Sequence, residues 1–367
     1  MRMLRNLIMF KQRSVLVWAA GVGFLILYIE FRLSQLRPAE VQIKNEEKSL
    51  DNENKNFHQP LHFYTDTKAS MKDEPRQPIV LYNRVPKTGS TSFCNLVYDL
   101  TKINNMYCLH VNITKNNLKV AIGDQYNLAL NMTRWVERKP ALYHGHFGYF
   151  SFAQFGFPEP MYINILREPL ERLISFYYFI RYGDDYRKGL RRTKQGDKTT
   201  FDECLAQNGH DCQPRALWLQ IPMMCGQSAE CWKVGSQWAL DQAKRNLVHR
   251  YTLVGVTEQI EDFVVVLESI EPRMFKGIID KFRTGSKSHI RKTIHKEPPS
   301  EAALKTIKNT KTYRMEKEFY DFAVRQFQHI KQVSTYTDDK GIVQPLYNQY
   351  HYEKIYGPQG NMDRKHK

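Results

Sequence analysis

The sequence predicts an α/β fold of three layers, a central parallel sheet between two layers of helix, on three observations. Short apolar runs recur at residues 78–82 (PIVLY), 161–166 (MYINIL) and 251–256 (YTLVGV). Each has strand length and no polar alternation, as expected of strands buried on both faces. Segments with apolar residues three and four apart stand between and after them, at 93–100, 237–249, 257–267 and, most amphipathic of all, 315–330. A Gly/Ser/Thr-rich loop joins the first strand to the first helix. Strands alternating with helices give a parallel sheet whose ligands gather at the strands' carboxyl ends.

The chain has 367 residues, 54 Lys+Arg against 38 Asp+Glu, a net charge of +16 and 42% hydrophobic residues. This excludes a disordered chain and a multi-span membrane protein, and allows one large domain or two small ones with appendages. Residues 14–29 (SVLVWAAGVGFLILYI) carry no charge and follow Arg2, Arg5, Lys11 and Arg13 with no acid among them. The run reads as a signal-anchor helix, short of the ~20 residues of a full span but tolerable in a thin membrane. A cleaved signal peptide is the rival reading. The run is longer than an ordinary signal core and lacks a small-x-small site at Tyr28, Ile29, Glu30 and Phe31. The basic flank, residues 1–13, stays cytosolic and the rest faces a lumen, a type II single-pass layout. Residues 30–75, with seven basic and nine acidic side chains and no period, read as a stem. The lumenal domain runs from about 76 to 357, and 358–367 is a disordered tail. A basic lumenal domain seeks a polyanion. A lumen holds little nucleic acid; it holds sulfated and uronic-acid polysaccharides.

Of six cysteines, Cys204, Cys212, Cys225 and Cys231 are disulfide candidates in an oxidising compartment. Four cysteines permit three connectivities; the short separations favour Cys204–Cys212 and Cys225–Cys231, with Cys94 and Cys108 left as thiols. Zinc is the alternative, but no CxxC spacing is present. Asn112-Ile-Thr and Asn131-Met-Thr are glycosylation acceptors, each weak alone.

After the first strand the chain reads Asn83-Arg84-Val85-Pro86-Lys87-Thr88-Gly89-Ser90-Thr91-Ser92. Backbone N–H groups and hydroxyls at the start of a helix favour a phosphate, and Lys87 adds a mobile cation. The loop is no Walker A, because the lysine precedes the glycine; alone it would also pass for a well-capped helix start. After the second strand, Arg167 stands at the strand's carboxyl end, Pro169 suits a first helical turn, and Ser175 lies further along that helix, a second phosphate grip.

Lys87-Thr88-Gly89-Ser90-Thr91 resembles the 5′-phosphosulfate loop of the Golgi carbohydrate sulfotransferases, and Arg167 with Ser175 resembles their 3′-phosphate site. Longer stretches resemble the heparan sulfate 2-O-sulfotransferases: Arg84-Val85-Pro86-Lys87-Thr88, Tyr143-His144-Gly145-His146, Gly183-Asp184-Asp185-Tyr186-Arg187, Lys194-Gln195-Gly196-Asp197-Lys198 and Tyr352-Glu353-Lys354-Ile355-Tyr356. The resemblance spans about 78–357 and departs at Gly89, where alanine is usual, and at Thr193, where a third consecutive arginine often sits. It implies a P-loop-like sulfotransferase fold and 3′-phosphoadenosine 5′-phosphosulfate (PAPS) as donor, leaving 3′-phosphoadenosine 5′-phosphate (PAP). It also implies transfer to the 2-hydroxyl of hexuronic acid in heparan sulfate, a Golgi location, and a homotrimer using the aromatic tail 347–356 between subunits. That tail would otherwise read as a cap on the core.

The transfer asks for a base, and histidine is best poised near neutral pH. In a strand His144 and His146 share a face. A lone His-x-His is more often a core pair or half a metal site, but no carboxylate or cysteine cluster stands beside it, and the family's catalytic histidines match both positions. The resemblance favours His146 as base, His144 as its helper and Lys87 as the cation facing the leaving phosphate. It places Lys87, Thr88, Gly89, Ser90, Thr91, Ser92, Arg167 and Ser175 on the donor. From the basic run KFRTGSKSHIRKTIHK at 281–296 it adds Phe282, Ser288, Thr293 and Lys296. No metal is implied. A charge run is usually a solvated face; the cluster Arg187, Lys188, Arg191, Arg192, Lys194 and Lys198 is better placed for the polymer, Arg192 matching the family's uronic-acid selector. Arg84, Tyr98, His110 and Lys115 are carried over to the acceptor groove. With a Debye length of ~8 Å, polymer binding through exposed charges is salt-sensitive.

Two other classes fit part of the pattern. A lumenal glycan kinase would need a phosphate loop and a base but also paired acidic metal ligands, and no convincing pair is present. A non-catalytic polysaccharide-binding protein accounts for the charge and leaves both phosphate loops and the histidine pair unexplained. The chondroitin/dermatan uronyl 2-O-sulfotransferases are an alternative in substrate alone.

Overall fold

A computed structural model describes residues 77–347 except 115–116, 188, 286–292 and 294. The expected cytosolic tail, signal anchor, stem and last tail, and nearly all of 347–356, lie outside the described residues. Among the described residues no helix is long and apolar enough to cross a membrane.

Five parallel strands form the sheet, in the order β2-β3-β1-β4-β5: β1 (Ile79–Asn83), β2 (Tyr107–Val111), β3 (Ala141–Gly145), β4 (Met161–Leu166) and β5 (Tyr251–Val256). Six longer helices surround them: α1 (Ser90–Leu100), α2 (Ile122–Arg134), α3 (Pro169–Tyr182), α4 (Gln237–His249), α5 (Ile260–Ile270) and α6 (Lys311–Ser334). The alternation of side chains along each strand makes two cores. Leu81, Tyr143 and Tyr162 face one, with Leu240 of α4 and Phe319 of α6; Val80, Tyr82, Leu142 and Ile163 face the other, with Phe93 of α1 and Phe263 of α5. This is the predicted three-layer α/β arrangement. Gly255 shows how tightly a helix lies on the sheet, since a Cβ there would stand 2.3 Å from the Phe263 ring.

From β1 the chain moves outward to β2 and returns through β3; from β4 it moves the other way to β5. The connections after the adjacent strands β1 and β4 therefore diverge, and a crevice opens at their carboxyl ends. Both phosphate loops of the sequence emerge there.

Helix boundaries follow local chemistry. α3 starts at Pro169, capped by Glu168, whose carboxylate accepts the Glu171 N–H, and ends where Gly183 takes φ +78°. α6 is capped by Thr310. The predicted run 257–267 splits into a short 3₁₀ turn at Thr257–Gln259 and then α5. Residues 93–100 begin three residues late, because Ser90, Thr91 and Ser92 already belong to α1. β2 and α2 have no counterpart among the predicted elements. β2 is an edge strand, half-exposed, and offers no continuous apolar run. The expected strand carrying both histidines stops at Gly145, so His146 lies one residue beyond it.

Cys204 is bonded to Cys212 and Cys225 to Cys231, while Cys94 and Cys108 are thiols. Asn112 and Asn131 are both exposed.

Candidate active site

The first loop bends sharply between β1 and α1. Lys87 has φ +71° and Gly89 φ +77°, a conformation glycine adopts at little cost. Among the described residues no side chain caps the start of α1, and the first turn of a helix is where backbone N–H groups turn to a ligand or water. Thr88 is buried and donates its hydroxyl to the Val85 carbonyl at 3.0 Å, tying the loop to itself; Ser90 is buried, and Thr91 and Ser92 are half-buried.

Lys87 Nζ donates to Thr293 Oγ1 at 3.2 Å and lies 4.1 Å from the centre of the Phe179 ring. Thr293 Oγ1 is 3.3 Å from Ser175 Oγ of α3. Arg167, at the end of β4, reaches the Lys87 carbonyl at 3.4 Å and Glu171 at 3.4 Å, and Lys296 meets the same Glu171 oxygen at 2.6 Å. Lys87, Arg167, Ser175, Thr293 and Lys296, drawn from three stretches of sequence, thus close on one place. Phe282 is half-buried against the core cluster of Phe275 and Ile278 and makes no polar contact with this group. Ser288 lies outside the described residues.

His146 Nδ1 stands 2.7 Å from the Arg84 carbonyl oxygen. A carbonyl only accepts, so the proton of the neutral ring sits on Nδ1 and Nε2 is the basic nitrogen. His144 is buried, stacks on His110 with ring centres 5.0 Å apart, and pairs its Nε2 with the Tyr98 hydroxyl at 2.8 Å. Among the described residues its buried Nδ1 has no hydrogen-bond partner. Burial, reinforced by Arg84, His110 and His146, pushes the His144 pKa down to about 3. Burial with Arg84 and Arg187 also lowers that of His110. Both rings are therefore neutral near pH 7. Gly145 separates the two histidines because a Cβ there would stand 2.5 Å from the Val111 carbonyl oxygen of β2.

His144 gives the fold a pH dependence whose sign is fixed. The unfolded chain takes up a proton at this histidine near pH 6.5 and the folded chain only near 3. The stabilisation from a neutral His144 is complete above the first value and lost as the pH falls through that window, about 2 kcal/mol of it by pH 5. Melting curves from pH 7 to 5 are expected to show this loss, and His144→Asn, whose side chain does not titrate, is expected to flatten the slope.

The residues assigned to the acceptor divide. Arg84 lies 3.5 Å from His110 and, with Tyr98, sits beside the histidines; Arg191 is exposed, and Lys115 lies outside the described residues. Arg192 pairs with the buried Asp184 at 3.3 Å and rests 4.3 Å from the Phe179 ring, the same ring that Lys87 touches. Asp184 is also bridged to Thr293. Lys194 is held by Asp211 at 3.0 Å and so helps to fix its own loop. Phe179 and Glu171 escaped sequence reasoning, and Asp184 stands in the sequence only within a family motif, without a role. The spacing of four from Ser175 to Phe179 and from Arg167 to Glu171, one helical turn, was the available signal.

Cations, hydroxyls and an uncapped helix start fit the phosphates of an adenosine 3′,5′-bisphosphate. Among the described residues no group of three or more His, Cys, Asp or Glu side chains is arranged to hold a metal ion. The crevice defines a class, α/β transferases whose first loop cradles a nucleotide phosphate. Comparison makes it particular: the sulfotransferase family matches residues 69–323, and the chain belongs to that family. Heparan sulfate 2-O-sulfotransferase 1 of Mus musculus is 53% identical over 290 residues, 79% of this chain and 81% of that protein. Its Xenopus laevis namesake is 45% identical over 355 residues, 96% and 99% of the two chains. Heparin sulfate O-sulfotransferase of Drosophila melanogaster is 51% identical over 278 residues, 76% and 78%.

Proposed function

We propose that the protein transfers sulfate from PAPS to the 2-hydroxyl of hexuronic acid, mainly iduronate, in heparan sulfate. Bound PAPS supplies an activated sulfuryl group on a phosphate leaving group. Lys87, Thr88, Gly89, Ser90, Thr91 and Ser92 hold the 5′ side, Arg167 and Ser175 the 3′-phosphate, and Thr293 and Lys296 close over them. His146 takes the hydroxyl proton on Nε2. The Arg84 carbonyl, accepting from Nδ1–H, steadies the charged ring that results. Lys87 keeps a cation where charge develops on the leaving side. The neutral His144, pinned by Tyr98 and His110, orients the acceptor pocket, and Arg84 and Arg192 meet the polymer's acidic groups.

The observation that carries this reading is the tether from His146 to Arg84, which presents a basic nitrogen at the end of β3 beside the Lys87 loop. The names of the relatives support the acceptor. The apolar run at 14–29 behind a basic flank supports a type II protein of the Golgi membrane. A homotrimer rests on the resemblance alone.

The test is radiolabelled transfer from PAPS to completely desulfated, N-sulfated heparosan and to dermatan, followed by disaccharide analysis. Label at the uronic 2-position of the heparan-type acceptor alone is the expected result. Label on dermatan alone would move the protein to the chondroitin/dermatan enzymes, and binding without transfer would leave a heparan-binding protein.

A further inference from the structure

We infer that Gln220 is a positioning residue for the donor's 3′-phosphate, acting by clamping the backbone of Arg167. The inference rests on the reading of Arg167 given above.

Gln220 begins a short helix, Gln220–Cys225, 53 residues from Arg167 in sequence, and its side chain is fully buried. One carboxamide serves both backbone groups of Arg167: Oε1 accepts its N–H at 2.9 Å, and Nε2 donates to its carbonyl at 2.9 Å. A neighbouring strand would make this pair of bonds, but β4 ends at Leu166. Gln220 extends the fixed part of the strand by the one residue that carries the guanidinium.

Among the described residues the guanidinium has little else to aim it. Its contacts to the Lys87 carbonyl and to Glu171 are both 3.4 Å, long for charged hydrogen bonds. The side chain's origin is therefore set by the backbone clamp, and only weakly by its own partners.

The clamp is itself held from behind. Glu316, fully buried on α6, accepts the N–H groups of Leu219 and Ile221, the residues on either side of Gln220, at 2.8 and 3.2 Å. Tyr313 and Tyr320 share that helix face, at spacings of three and four. The Tyr313 hydroxyl donates to Glu168 at 3.0 Å, and the Tyr320 hydroxyl to Glu258 at 2.9 Å; Glu258 in turn accepts the Glu168 N–H at 3.0 Å. One face of α6 thus braces both sides of Arg167.

The experiment uses the full chain and two nucleotides, PAP and adenosine 5′-phosphate, which lacks the 3′-phosphate. Gln220→Glu keeps the shape and one acceptor while turning an oxygen toward the Arg167 carbonyl. Gln220→Asn withdraws both groups by one methylene, and thermal melting selects whichever variant folds like the wild type. The expected result is PAP affinity reduced about tenfold, the scale of one buried hydrogen bond left unmade, with adenosine 5′-phosphate affinity and heparin-column retention unchanged. Combined with Arg167→Ala, the Gln220 change is expected to add almost nothing, since both remove the same contact. Equal losses for both nucleotides, or full additivity with Arg167→Ala, would make Gln220 a general structural residue and overturn the inference. If Arg167→Ala itself leaves the preference for PAP intact, the reading of Arg167 falls and the clamp's role falls with it.

Discussion

His146→Ala is expected to lower kcat by about 10²–10⁴-fold, the range for losing a general base, while PAP and heparan are bound as well as by the wild type. The division follows from the geometry. The imidazole is tethered through Nδ1 to the Arg84 carbonyl, whereas Lys87 is bonded to Thr293 and Arg192 to Asp184. Calorimetric titration with PAP, heparin-column retention and turnover on one preparation separate the three quantities. Loss of nucleotide binding in this variant would remove His146 from the role of base. So would a wild type whose turnover disappears in EDTA and returns with zinc, the behaviour of a metal site.

Lys87→Ala is expected to act on both binding and chemistry. Its ammonium links the first loop to Thr293 and faces Phe179, so PAP affinity is expected to fall. Loss of a preorganised charge at the leaving side costs about 10²–10³ in kcat. Single-turnover rates at saturating donor isolate the second effect. A variant with weaker PAP binding and an unchanged single-turnover rate would restrict Lys87 to binding.

The strands that carry the crevice were legible because they are buried on both faces: IVLYN, MYINIL and YTLVGV announce themselves by hydrophobicity alone. β2 was not, since an edge strand reading YCLHV with half-exposed side chains has no such run. Within the site, Lys87 and Ser175 stood out through loop chemistry and local pattern, and His146 through the family resemblance. Their partners are distant in sequence. The bonds from Lys87 to Thr293 and from Gln220 to Arg167 cross 206 and 53 positions, and no spacing rule reaches so far. The two basic segments looked separable in sequence, one for nucleotide and one for polymer. In space, Thr293 of one segment is bridged to Asp184, which holds Arg192 of the other, and Phe282, placed on the donor by resemblance, packs half-buried against the core.

On the proposed assignment, the bridge between Asp184 and Thr293 joins the nucleotide's side of the site to the polymer's side. Thr293 carries the hydroxyl between Lys87 and Ser175, and Asp184 accepts the Arg187 N–H and holds Arg192, so a nucleotide that steadies one end steadies the other. Such coupling runs both ways by thermodynamic necessity. Whatever factor the nucleotide adds to the grip on the polysaccharide, the polysaccharide returns to the grip on the nucleotide. On that assignment, a product nucleotide still seated at Thr293 would keep its own share of the grip on the sulfated chain, and loss of either product would loosen the other.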